Sequence, residues 1–61
     1  MEKEKLSREL LKYRKETGKT QRDMAIALNI SVIAYQKYEW AIGLPKPETM
    51  LKIQEMLSNE R

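Results

Sequence analysis

Leu6, Leu10 and Tyr13 recur at the spacing of one helical face, Leu11 widens the stripe, and lysine and glutamate fill most positions between. This pattern predicts a first helix over about Lys3–Thr17. Gly18 ends it, because glycine tolerates the left-handed conformation that closes a helix. Thr20 then stands as an N-cap, with Asp23 three residues on completing a variant capping box. Met24, Ala25 and Leu28 give the inner face of a second helix, Gln21 to about Leu28. Asn29 suits a left-handed turn, and Ser31 caps a third helix from Val32 to about Trp40. Ile30 before that cap and Tyr35 inside the helix are placed as a hydrophobic staple, and Tyr35 and Tyr38 share a face. Gly43 and Pro45 mark a loop from Trp40 to Lys46. Pro47 opens a last helix, with Glu48 beside its positive end and Met50, Ile53 and Leu57 as its buried stripe. No strand-like alternation, internal repeat or low-complexity tract interrupts this all-α pattern.

Sixty-one residues predict a single domain over 1–61 with a small core. The chain has no cysteine and no histidine. Disulfides are excluded and the usual zinc sites lack their ligands, so neither metal nor cofactor is expected. No apolar run approaches the ~18 residues of a membrane span, and the charged start Met1-Glu2-Lys3-Glu4-Lys5 is unlike a signal peptide. A soluble, cytoplasmic protein is the expectation. An enzyme is not: no nucleophile–base pair is evident and little surface is left for a pocket, so no catalytic residue is assigned.

The net charge of +3 is unevenly spread. Residues 1–22 carry eight basic and four acidic groups, whereas residues 23–61 carry four and five. The basic excess of the first third suits either a solvated helix face or a polyanionic partner. The stretch from Thr20 to Gly43, TQRDMAIALNISVIAYQKYEWAIG, favours the second. Two helices of about eight residues are joined by a short turn over about 21–40, with small Ala25 where they must cross closely. That is the layout of a DNA-binding helix-turn-helix. The N–H groups opening the first of the two helices suit a phosphate, and the second fits the major groove.

Over about residues 6–57 the chain resembles the phage-repressor (Xre, Cro/CI-type) helix-turn-helix family. The resemblance is carried by Leu10, Tyr13-Arg14, Gly18, Thr20-Gln21, Met24-Ala25, Leu28, Ile30-Ser31, Tyr35, Tyr38-Glu39 and Leu57. It implies an all-α, lambda-repressor-like domain of four or five helices and a sequence-specific regulator, a repressor of phage or mobile-element type. Such a protein binds a near-palindromic operator in double-stranded DNA as a homodimer. By the same resemblance, Gln21 is a phosphate-contacting residue and Arg14 and Glu39 form a structural pair. Lys19, Arg22 and Lys46 would join Gln21 on the phosphate backbone. Ser31, Val32, Ile33, Gln36 and Lys37 would face the bases, which agrees with a third helix whose Tyr35 and Tyr38 face inward.

Several positions depart from the family pattern. Val32 and Ile33 stand where polar residues are usual, Trp40 and Ala41 where the family has Asn and Gly, and Ile42 near a usual Lys or Arg. Ile26 is apolar at a usually exposed position. Lys19 replaces an apolar residue, although its stem can still cover Met24. Trp40, Ile42 and Leu44 therefore admit several readings: a surface for A·T-rich DNA, a dimer contact, a dock for a second protein, or apolar groups folded back over the small core. The rival to DNA binding is a protein-interaction module, an antirepressor or antitoxin-like partner, acting through Val32, Ile33, Trp40 and Ile42. Relatives often carry a fifth helix. This sequence has almost nothing beyond Leu57, so either helix 4 and the loop make a dimer or the sequence is part of a longer chain.

Overall fold

The computed structural model describes residues 2–59. Among them are four helices and no strand: α1 (Lys3–Thr17), α2 (Gln21–Leu28), α3 (Val32–Glu39) and α4 (Pro47–Asn59). Each boundary has a local cause. Gly18 closes α1 at φ 72°, donating its N–H to the Arg14 carbonyl. Thr20 and Asp23 form a reciprocal capping box on α2: the Thr20 hydroxyl accepts from the Asp23 N–H, and the Asp23 carboxylate accepts from the Thr20 N–H. These two bonds satisfy donors that an open helix end leaves without partners. They also hold the exposed Asp23 carboxyl below its usual range, the Thr20 backbone N–H being the largest cause.

The left-handed Asn29 (φ 57°) makes the turn of the motif. Two backbone bonds close α2 across it, from Asn29 N–H to Ile26 and from Ile30 N–H to Ala25. Ser31 then accepts from the Ala34 N–H and starts α3. The same closing pattern recurs after α3, where Ala41 donates to Tyr38 and Ile42 to Lys37. Here the left-handed residue is Ala41, at φ 60°, a conformation in which a Cβ is strained.

The core draws on every helix: Leu6, Leu10 and Tyr13 from α1, Met24, Ala25 and Leu28 from α2, Tyr35 from α3 and Ile53 from α4. Ile30, Tyr38, Met50, Met56 and Leu57 are partly buried against it. The predicted stripe of α4 is thus recovered, with Ile53 at its centre. Ala25 lets α3 approach α2 closely, and α3 also packs on α1, so α3 is braced from two sides. Only Tyr35 and Glu39 of its eight residues are buried. Ala34, Gln36 and Tyr38 are partly covered, and Val32, Ile33 and Lys37 are exposed.

The loop excludes one of the readings left open for its apolar residues. Trp40, Ile42 and Leu44 do not fold back over the core; they are 59%, 60% and 51% exposed. Pro45 is the buried residue of this loop. The rigid proline directly before Lys46 and Pro47 takes the inward position, and its neighbours turn out.

Candidate nucleic-acid interface

The joint between α1, α2 and α3 is polar and is organised around Glu39. Its side chain is almost wholly buried, yet it is surrounded by donors. Arg14 of α1 donates from Nε to Oε2 at 2.7 Å and from its second terminal nitrogen to Oε1 at 3.1 Å, a two-pronged contact that fixes both partners. The other terminal nitrogen of Arg14 reaches the Lys19 carbonyl. Gln21, the first residue of α2, donates its Nε2 to Glu39 Oε1 at 2.9 Å. The Ser7 hydroxyl donates to the Glu39 backbone carbonyl. Burial alone would raise the Glu39 carboxyl, but the groups around its carboxylate outweigh it, Arg14 foremost, and hold it below the usual carboxylate range. The Tyr35 hydroxyl is buried beside the pair. It is close enough to feel both charges but completes no hydrogen bond, and burial pushes its pKa well up.

From this root the polar chain runs outward. Gln36 on α3 donates its Nε2 to Gln21 Oε1 at 3.0 Å. The structure therefore links Arg14, Glu39, Gln21 and Gln36 in one series that starts in the interior and ends at a half-buried side chain on α3. Around Gln36 on the open face of α3 are Val32, Ile33 and Lys37, all exposed, with Ser31 at the helix start. Arg22 is exposed on α2, and Lys19 is partly covered just before the α2 cap. Lys46 and Ser31 share an open groove of about 420 Å³, between the motif's turn, α3 and the start of α4, with Asn29, Tyr38 and Lys52.

The expected residues thus separate by position. Val32, Ile33, Gln36 and Lys37 lie together on α3. Lys46 joins Ser31 at one edge of that face. Gln21 holds Glu39 and Gln36 with its amide, a role that sequence reasoning missed, since nothing local to either glutamine announces a bond across fifteen residues. Trp40, Ile42 and Leu44 continue the chain beyond α3 as exposed apolar side chains.

A helix-turn-helix family model matches residues 10–58, most of the chain, from within α1 to the last turn of α4. The chain belongs to the helix-turn-helix family. Its type is that of the phage repressors: it is 42% identical over 53 residues to the cryptic phage CTXphi transcriptional repressor RstR of Vibrio cholerae serotype O1 (strain ATCC 39315 / El Tor Inaba N16961). That match covers 87% of this chain and 47% of the relative, so the chain spans about half the length of the curated relative it matches. No solved structure matches the chain. As a helix-turn-helix protein it retains the motif's two caps, its left-handed turn and its close helix crossing. It departs from the phage-repressor pattern in the apolar residues at both ends of α3. No helix among the described residues is long and apolar enough to cross a membrane, and they contain no cluster of acidic groups fit to hold a metal ion.

Proposed function

We propose that this protein is a sequence-specific DNA-binding transcriptional repressor, with α3 as its recognition helix. The observation that carries the reading is the exposed α3 face, where Gln36 and Lys37 stand beside Val32 and Ile33 on a helix braced by α1 and α2. A helix presented in this way fits the major groove. Gln36 suits adenine, Lys37 suits guanine or a phosphate, and Val32 and Ile33 suit thymine methyl groups. Lys19, Arg22 and Lys46 bind the phosphate backbone. Gln21 approaches it through its remaining N–H and the start of α2. Two copies on a near-palindromic operator would set their α3 helices about 34 Å apart, one turn of the duplex. Membership of the helix-turn-helix family and the repressor named among its relatives support this reading.

Its test is a titration of the protein with duplex DNA at two salt concentrations. Affinity is expected to fall steeply with salt, because each neutralised phosphate releases counterions. Lys37→Ala is expected to weaken specific binding by about 1–3 kcal/mol if the lysine contacts a base. Failure to bind any duplex at low salt overturns the reading.

A second reading is favoured by the exposure of Ile33, Trp40 and Ile42, each at about 60% or more. In it the same fold is a protein-interaction module whose apolar face docks another chain. Substitutions at Trp40 and Ile42 then abolish a protein complex while duplex affinity is absent from the start.

A further inference from the structure

The basic excess of the first third has a geometry of its own. At ~100° of rotation per residue, Lys5, Arg8, Lys12 and Lys15 fall within about 80° of arc on α1 and run about 15 Å along its axis. All four are exposed. Their arc lies roughly opposite Leu6, Leu10 and Tyr13, the buried residues of α1. It also lies about 130° around the helix from the line of Ser7 and Arg14, whose side chains bond Glu39 at the end of α3. The stripe is therefore a second basic surface, turned away from the side of α1 on which α3 packs.

No acidic partner neutralises this stripe. Glu4 borders the arc on one margin and Glu9 and Glu16 on the other, yet among the described residues the one ion pair is Arg14–Glu39. Lys5 and Arg8, Arg8 and Lys12, and Lys12 and Lys15 are like-charged neighbours three or four residues apart, an arrangement that weakens a helix. A row of anions laid along the stripe offsets that repulsion.

The partner that fits is a polyanion needing no apolar contact. A helix lying on a lipid surface sets an apolar face beside its basic one. Here glutamates border the stripe, and Leu11, beyond Glu4, is half-buried. Duplex DNA carries about nine phosphates over the ~15 Å of the stripe. We propose that Lys5, Arg8, Lys12 and Lys15 form a second, sequence-independent DNA-binding surface, with which the protein holds a further duplex segment while α3 occupies its own. The protein thereby bridges two segments of DNA. This rests on the DNA-binding reading above.

The test fixes a mixed-sequence duplex to beads, loads the full chain, washes, and offers a labelled second duplex at low salt. Capture is scored per protein retained. The parent is compared with the triple variant Arg8→Gln, Lys12→Gln and Lys15→Gln. Glutamine matches the helix preference of the residues it replaces, and circular dichroism checks that the variant is folded. Should it melt early, Lys12→Gln alone serves in its place. The parent is expected to capture the labelled duplex with a salt exponent of about −3.6, roughly a 150-fold loss of affinity between about 50 and 200 mM salt. The triple variant should stay on the beads and capture at least about tenfold less, with an exponent near −0.9; Lys12→Gln should give about −2.7.

Equal capture by parent and variant overturns the proposal, because bridging then comes from other contacts. A parent retained on the beads that captures nothing also overturns it, and the DNA-binding reading stands. Loss of the folded triple variant from the beads at low salt shows one DNA surface instead of two and overturns it as well. Phosphatidylserine vesicles that bind the parent and not the variant, with no capture of the labelled duplex, assign the stripe to a membrane instead. A parent that binds no duplex at all removes the DNA-binding reading and the proposal together.

Discussion

Arg14 grips Glu39 from both sides of its carboxylate, joining α1 to the last residue of α3 across twenty-five positions. Among the described residues Glu39 is the one buried charged side chain, and Arg14 retains a quarter of its side-chain exposure. Removing the arginine strands a buried charge, which costs more than the intact pair contributes.

Arg14→Ala is therefore expected to destabilise the protein by on the order of 3 kcal/mol. A domain of this size is stable by only about 3–9 kcal/mol, so the variant should melt far lower or be largely unfolded. The paired change Arg14→Met with Glu39→Leu should cost less than Arg14→Ala alone, because it removes the stranded charge together with its partner. Denaturant titration of both variants checks this. An Arg14→Ala protein as stable as the parent would show that Glu39 finds water or another donor.

Acid should weaken the same joint. The Glu39 carboxyl is held below its ordinary value in the folded protein, and so is that of Asp23. A carboxyl depressed by folding contributes stability above its unfolded pKa of about 4 and loses it as pH falls through the lower folded value. The protein should thus lose stability progressively below about pH 4, with Glu39→Gln showing a shallower acid slope from a lower starting stability. Asp23 leaves that variant some residual slope. Melting temperatures between neutral pH and pH 2 measure it, and parallel curves for the two proteins would refute the assignment.

Ala41 offers a gain rather than a loss. It adopts φ 60° to let Ile42 and itself donate back to α3, and its Cβ is strained there. Ala41→Gly should stabilise the protein by about 1 kcal/mol, a rise of roughly 4–8 °C in melting temperature. Gly18→Ala places the same strain at φ 72° and should shift the melt downward by a similar amount. A neutral or negative effect of Ala41→Gly would mean that the added freedom of the unfolded chain outweighs the relieved strain.

The contrast between Gly18 and Ala41 shows what was readable beforehand. Helix ends governed by neighbouring residues, such as the Thr20–Asp23 box and the Gly18 and Asn29 turns, carry their signal within a few positions and were legible. Alanine in a left-handed turn carries no such signal. The Arg14–Glu39 pair was reached through family resemblance. The bonds of Gln21 to Glu39 and Gln36 were not reached at all, because they depend on how closely α2 crosses α3. The loop's apolar residues admit several readings from sequence for a related reason. Leu44 and Pro45 are both apolar neighbours, and which of them turns inward is decided by the backbone path between α3 and α4.

Trp40 and Ile42 follow from that path and give the last prediction. Both side chains are about 60% exposed, and the bond that Ile42 gives to the end of α3 comes from its backbone. Replacing Trp40 by Gln, or Ile42 by Thr, should change stability by no more than about 0.5 kcal/mol, the usual range for exposed positions without special contacts. Any larger change would show that these side chains hold the loop in place. If stability is unchanged, the variants can be carried directly into binding measurements. Loss of duplex affinity would then place the apolar edge of α3 at the DNA. Loss of self-association with retained affinity for a single half-site would place it between two copies. In either case the effect would belong to the surface itself, because the fold beneath it would be intact.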